Sequence, residues 1–262
     1  MNIIDKTAVV SPTAQIGKDV KIGAYAIVED NTIIGDNTII DAHAKVCSGA
    51  RIGKSCRVCS FAIVSGEPQD LHFDTSLKTY VEIGDGTVLR EHISVHRATV
   101  EGKATVIGKG CLLMDGAHVG HDCVVGDNVI IANFTALAGH VHVDKDVFIS
   151  GGVMVHQRQR IGEGCILSGN GAFSLDVPPY VIAYERNKLA GLNLIGMSRR
   201  GMTREEISEI KRLYAQVYST MSARINAMAL LEAGDFKSDY GRRFLEFFKV
   251  ENRRYCQPRE GK

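Results

Sequence analysis

Ile16-Gly17-Lys18-Asp19-Val20-Lys21-Ile22-Gly23-Ala24-Tyr25-Ala26-Ile27-Val28 returns to Val or Ile at every sixth residue. The same step extends in both directions, through Val10, Ile16, Ile22, Val28, Ile34, Ile40, Val46, Ile52, Val58 and Val64. It resumes at Ile83, Leu89 and Val95, is interrupted at Glu101, and then runs from Ile107 to Phe173. The residue after the aliphatic is often Gly. The fourth after it is small or branched, as in Val20, Ala26, Thr32, Ala44, Cys56 and Ala62. A period of six is neither helical nor the alternation of a simple strand. It is the hexapeptide signature of a parallel β-helix, where each hexad forms one side of a triangular coil. The aliphatic and the small residue point inward. Gly or a small polar residue is expected at the corner, where backbone angles are demanding. Twenty-five in-register positions at three per coil make about eight coils.

Composition bounds the rest. The chain has 262 residues, 45% of them hydrophobic, which suits one large folded unit and excludes broad disorder. Lys+Arg number 31 and Asp+Glu 30, so a whole-chain nucleic-acid binder is not expected. No apolar run approaches the roughly 18 residues of a membrane span. Met1-Asn2-Ile3-Ile4-Asp5-Lys6 shows no secretory signal. Seven scattered Cys argue against a disulfide framework or a cysteine zinc knuckle, and suit a reducing cytoplasm. Cys56, Cys111, Cys123 and Cys165 fall on the inward small position and are assigned to the core. Cys47 and Cys59 follow an aliphatic. Cys256, in the tail, carries no role.

The breaks in the period are informative, because a coil admits insertions only as extruded loops. The step from Val64 to Ile83 exceeds a full coil by a single residue, which predicts a loop over about 66–81. Loops on rigid scaffolds often carry binding residues. Thr99 to Thr105 is expected to be a second loop, since Glu101 would be costly in an inward slot. Beyond Asp176-Val177-Pro178-Pro179-Tyr180 the period stops, and the prolines are expected to end the ladder. Thr203-Arg204-Glu205-Glu206 is a capping box. Ile207, Ile210, Leu213, Tyr214 and Val217 then follow at helical spacing. A second helix is expected over about 223–231 and a third around Phe236, Tyr240, Phe244, Phe247 and Phe248. The expected organisation is a β-helix over 1–190 and an α-helical tail over 191–262 that caps its end. The tail holds 14 Lys+Arg against 9 Asp+Glu, and residues 1–198 hold 17 against 21, so the near-zero net charge is a cancellation.

Residues one full coil apart stack about 4.8 Å apart in such a solenoid. His121, Gly139 and Gln157 therefore form one column, beside Asp122, His140 and Arg158. His118 and His156 lie close by. A neutral imidazole at His121 is a candidate general base, with Asp122 fixing its tautomer or stabilising its charged form. Gly139, without a side chain, could offer its backbone N–H to an oxyanion. The competing reading is an ordinary surface rich in histidine. Zinc is the other rival, but His118/His121 and His140/His142 lack the H-x4-H spacing of metal-binding β-helices, so no metal is expected.

Leu112-Leu113-Met114-Asp115-Gly116-Ala117-His118-Val119-Gly120-His121-Asp122-Cys123, Leu137-Ala138-Gly139-His140-Val141, Val155-His156-Gln157 and Asp176-Val177-Pro178-Pro179-Tyr180 together resemble the UDP-N-acetylglucosamine O-acyltransferase family of lipid A synthesis. Gln69-Asp70-Leu71, Arg90-Glu91, His96-Arg97, Gly191-Leu192-Asn193 and Arg199-Arg200-Gly201 match as well, so the resemblance covers essentially the whole chain. It implies a homotrimer of left-handed parallel β-helices with sites between subunits. It implies transfer of an (R)-3-hydroxyacyl chain from acyl carrier protein to the 3-hydroxyl of UDP-N-acetylglucosamine in the cytoplasm, without a cofactor, since the thioester is already activated. By resemblance His121 is the general base, Asp122 its partner and Gly139 the oxyanion donor. Gln69, Asp70, His72, His96, His118, His140, His156, Gln157, Asn193, Arg199 and Arg200 are substrate contacts, and Gly169 limits acyl length. The basic tail would face the acidic carrier.

The chain departs from the family at His72, where Lys is usual, at Arg158 and Ile195, and in the shortened turn Glu185-Arg186-Asn187. A 3-amino analogue of the sugar nucleotide is the alternative acceptor. Another sugar N- or O-acyltransferase using acyl carrier protein or CoA is the alternative enzyme. The N-acyltransferase class usually carries a uridine-binding domain before its coils, and here the hexads begin by Val10. A metal-dependent carbonic anhydrase or a silent scaffold is the reading from another class.

Overall fold

The computed structural model describes residues 1–220 and 222–259. Short strands, most of two residues, follow one another at six-residue steps and wind into three sheets of 12, 9 and 8 strands, parallel throughout the coils. We call these the first, second and third faces. Each aliphatic of the ruler sits on its counterpart one coil away, as Val119 on Leu137 and Leu137 on Val155. Stacked Ile, Val and Leu fill the interior, and Ile34, Ile40, Leu113, Ile131 and Leu137 are at most 1% exposed. The small position closes the core, and Thr38, Thr87 and Thr135 are buried there by donating their hydroxyls to carbonyls of the adjacent coil. Such partners offset the cost of burying a hydroxyl.

Two corner positions carry different constraints. The third residue after the aliphatic adopts positive φ, and Asp19, Asn37, Asp122, Asn128 and His140 do so without being Gly. The Gly directly after the aliphatic has another reason. A Cβ on Gly120 would lie 2.9 Å from the backbone of Ala138 and Gly139, so the side chain is excluded by the approach of the next coil rather than by its own φ. This revises the corner reading of these glycines.

The insertions are larger than the sequence arithmetic suggested. Ile52 stacks directly on Ile83, more than five hexads along the chain where a regular coil takes three, so over two hexads are extruded. Ile83 stacks on Ile107, four hexads on, so one more hexad is extruded in the next coil. Both loops leave the corner between the second and third faces. Glu101 is exposed in the second loop, and its carboxylate accepts the Lys78 N–H of the first.

The prolines end the ruler but not the sheet. Val181–Tyr184 pairs in parallel with Ile166–Leu167, and Lys188–Leu192 then pairs antiparallel with it. Helices α1 (Leu194–Arg199), α2 (Arg204–Val217), α3 (Ala223–Glu232) and α4 (Asp239–Glu246) follow. Thr203 and Glu206 form the capping box of α2. Phe244, Phe248, Ile210 and Leu213 make the tail's own core, and Tyr214 and Tyr218 bridge it to the solenoid. Arg253 holds the fully buried Asp176 carboxylate, tying the chain's end to the last coil.

All seven cysteines are free. Cys56-Arg57-Val58-Cys59 has the C-x-x-C spacing, yet Cys56 donates its thiol to the Gly84 carbonyl and both are buried. Cys256 is not incidental: it is fully buried against the solenoid core. Truncating one rung of the interior should be expensive. Leu137→Ala is expected to cost about 2–5 kcal/mol, read as a lowered midpoint in chemical denaturation.

Candidate active site

The corner between the second and third faces brings the predicted cluster together. His140 donates its backbone N–H to the His121 carbonyl at 2.9 Å, and Arg158 to that of Gly139 at 3.0 Å, so the two columns stack as the coil repeat requires. His121 Nδ1 lies 2.7 Å from Asp122 Oδ2, which leaves Nε2 for other partners. A Cβ on Gly139 would fall 2.6 Å from that Nε2, so the imidazole occupies the space that a side chain there would fill. Among the described residues the Gly139 N–H donates to no protein acceptor.

Asp122 is held from several sides. Its carboxylate accepts the Thr99 hydroxyl at 2.7 Å and the Thr99 N–H at 3.1 Å, while its own N–H donates to the Thr105 hydroxyl. Burial works against its ionisation, but these bonds and the one from His121 outweigh it, and the carboxyl is held below the ordinary range. His140 Nε2 stands 3.8 Å from the same carboxylate. His121, Asp122 and His140 could present three ligand atoms to an ion, although the short bond between the first two already satisfies both.

One rung away, His96 and His118 meet edge to face at 4.8 Å, and His118 Nδ1 shares a 2.8 Å hydrogen bond with Ser94 Oγ. Burial lowers the His96 pKa to about 4, with His118 and His121 adding to the effect. Burial lowers His118 and His140 as well. These rings are neutral donors and acceptors near neutral pH.

A groove of about 530 Å³ runs from these histidines along the second face. His118, Ala136, Met154 and Ala172 are the outward residues of successive strands and form its floor, about 14 Å over three rungs. Gln69 and His156 line its sides, and Arg186 stands at its far end. The groove thus joins a polar head to an apolar trough.

Other expected contacts lie elsewhere in this chain. Asp70 and His72 are exposed on the first loop, where the His72 N–H caps the Asp70 carboxylate. Gln157 is exposed on the rung below Gly139. Gly169 sits at the opposite corner, against Gly151. Asn193, Arg199 and Arg200 line a second cavity on the first face, with Phe148, Ile166 and Ile182. Asn193 is only 4% exposed, and its amide caps α1 and bonds the Gly164 carbonyl. Arg200 bonds the Asp146 and Gly164 carbonyls. Within a single chain both side chains hold the junction of coil and tail, away from this groove.

The sequence reading missed Ala136, Met154 and Ala172, although counting whole coils onward from His118 finds all three. It also missed Thr99, Ser94 and Arg186. Thr99 and Arg186 lie in irregular segments where no ruler applies.

Comparison with known proteins agrees with the geometry. The family profile described as Udp N-acetylglucosamine O-acyltransferase, domain 2, matches residues 176–256, and bacterial transferase hexapeptide repeats match 31–66 and 104–139. A Sinorhizobium fredii protein named acyl-[acyl-carrier-protein]--UDP-N-acetylglucosamine O-acyltransferase is 38% identical over 87% of this chain and 85% of its own length. The chain belongs to the UDP-N-acetylglucosamine O-acyltransferase family. A Gloeothece citriformis protein of the same name is 37% identical over 70% of this chain, which spans 66% of that relative. The solved structure of UDP-N-acetylglucosamine acyltransferase from Campylobacter jejuni superposes with a TM-score of 0.91 at 33% identity, over 98% of this chain and all of that one. The shared fold is the left-handed parallel β-helix.

Two outcomes follow from the site. Gly139→Ala should leave the coil folded but push the His121 ring aside, so turnover should fall at least about a hundredfold, the low end of what a positioned base supplies, while the circular dichroism spectrum is unchanged. Between about pH 6.5 and about 4 the unfolded chain binds a proton at His96 that the folded chain refuses. Stability should therefore fall as pH drops through that window. His96→Asn should flatten the fall in denaturation midpoints measured across it.

Proposed function

We propose that this chain transfers an (R)-3-hydroxyacyl group from acyl carrier protein to the 3-hydroxyl of UDP-N-acetylglucosamine, the opening acylation of lipid A synthesis. The observation that carries the reading is the His121–Asp122 pair poised over Gly139, at the head of an apolar trough. His121 Nε2 takes the proton of the sugar hydroxyl as its oxygen attacks the thioester carbonyl. The tetrahedral oxyanion accepts the Gly139 N–H. Collapse expels the carrier thiolate, which recovers the proton from the imidazolium at Nε2. Asp122 stabilises that imidazolium through Nδ1, and such base catalysis is worth about 10²–10⁴-fold. The trough takes the hydrocarbon chain. His118, His96, His156 and Gln69 contact the sugar and thioester end, with Asp70, His72, His140 and Gln157 at its rim. No cofactor or metal enters the chemistry.

A homotrimer completes the site. Outward residues on the first face are mostly apolar, including Ile39, Val88, Leu112, Ile130, Phe148, Ile166 and Ile182, and those on the second include Val9, Ile27, Ile63, Ala136 and Met154. The third face carries Gln15, Arg51, Glu82, His142 and Arg160. Tyr25, His43, Phe61 and His92 stack their rings along the corner shared by the two apolar faces. Cyclic packing of the first face of one copy on the second face of the next would bury these surfaces. It would also bring the cavity holding Asn193, Arg199 and Arg200 to the neighbour's groove, where they can meet the nucleotide, and Gly169 to the acyl end. The basic tail from 191 onward would receive the acidic carrier in the cytoplasm. Among the described residues no helix is long and apolar enough to cross a membrane.

Purified protein mixed with UDP-N-acetylglucosamine and 3-hydroxyacyl carrier proteins of several chain lengths should yield an ester-linked product in its mass spectrum. His121→Ala should abolish it without altering sedimentation. Absence of transfer at every length overturns the assignment, and full activity of His121→Ala overturns the base. A product formed only with the 3-amino sugar nucleotide would move the acceptor to that analogue.

A further inference from the structure

The hexad extruded in the second loop lies off the period, and its surroundings touch the site in two directions. Arg97 reaches outward. Its guanidinium donates to the Leu77 carbonyl at 2.9 Å and to that of Thr75 at 3.4 Å, and lies over the Phe73 ring at 5.0 Å. It thereby pins the returning limb of the loop that carries Gln69. Thr99, two positions on, reaches inward. Its hydroxyl donates to Asp122 Oδ2, the oxygen that also faces His121 Nδ1, and its N–H donates to Asp122 Oδ1 at 3.1 Å and more weakly to Oδ2 at 3.3 Å.

A carboxylate beside a catalytic imidazole can rotate about its χ angles, and each turn misaligns the Nδ1 bond. Three donors fix this one. The Thr99 N–H sets Oδ1, the Thr99 hydroxyl and the imidazole set Oδ2, and the Thr105 hydroxyl fixes the backbone by accepting the Asp122 N–H. The backbone position is itself constrained, because Asp122 has φ 59°. Removing the Thr99 hydroxyl leaves the Thr99 N–H and the fold in place but takes from Oδ2 its 2.7 Å bond, so that only the 3.3 Å N–H contact from this loop still holds it toward His121. Thr99 is not among the residues that line the groove.

We propose that Thr99 is the positioning residue of the His121–Asp122 pair, acting on turnover through the Asp122 carboxylate; this rests on His121 being the base. A charge-assisted hydrogen bond of this kind corresponds to roughly a 10–100-fold effect. Thr99→Val should lower kcat by that factor, with KM for sugar nucleotide and acyl carrier protein within about twofold. Thr99→Ser, which keeps the hydroxyl, should recover most of the loss. A double-mutant cycle makes the route visible. In an Asp122→Asn background, itself impaired, Thr99→Val should cost little more.

A wild-type kcat for Thr99→Val overturns the proposal. So does an equal loss in the Asp122→Asn background, or Thr99→Ser no better than Thr99→Val, since either marks a merely structural role. Full turnover by Asp122→Asn alone overturns the carboxylate's part and the Thr99 role with it, a failure that the single Asp122 variant identifies by itself.

Discussion

Every part of this molecule depends on the spacing between coils. Parallel strands must sit about 4.8 Å apart to share hydrogen bonds. At that distance a coil has room for one layer of inward side chains and almost none at its corners. Gly120 shows the limit, since a single Cβ would strike the next coil's backbone. The same closeness is what places one rung's functional group on the next. The His121 imidazole can lie over the Gly139 backbone only because the two corners are one strand spacing apart and Gly139 has no side chain.

That constraint explains how a rigid scaffold can hold reactive geometry with few residues. The core fixes the corner positions, and the corners fix His121 and Asp122. Thr38, Thr87 and Thr135 each bond a carbonyl of the adjacent coil, which ties the corners together. Within the solenoid, irregular backbone is concentrated in the two extruded loops, and both leave the corner where the His121–Asp122 pair sits. Thr99, on the second loop, joins that irregular backbone to Asp122 on the coil.

The tail has a different physics. Its helices bury aromatics around Phe244 and Phe248, and it is fastened to the solenoid by Tyr214, Tyr218, Cys256 and the ion pair of Arg253 with the buried Asp176. It covers the last coil's open end. Its capping box and helical spacing were legible in Thr203-Arg204-Glu205-Glu206 and the aliphatics after it. The hairpin that continues the first sheet past Pro178-Pro179 was not, because proline removes donors only at its own positions while the flanking Val181–Tyr184 remains free to pair.

The amino-acid sequence alone determined the coil, its core and the stacked columns of His121, Gly139, Asp122 and His140. A strict period converts chain position into spatial position, so counting by whole coils is a geometric operation. It also contained the trough of Ala136, Met154 and Ala172, which the same count reaches from His118. The tertiary structure decided what lies off the period. Thr99 meets Asp122 through an insertion whose path no ruler predicts. Asn193 and Arg200 turn into the junction because the helices close over it. The groove's far end is set by Arg186, on a hairpin formed by long-range pairing. Periodic sequence carries its own coordinates; irregular segments acquire theirs only from the surfaces against which they pack.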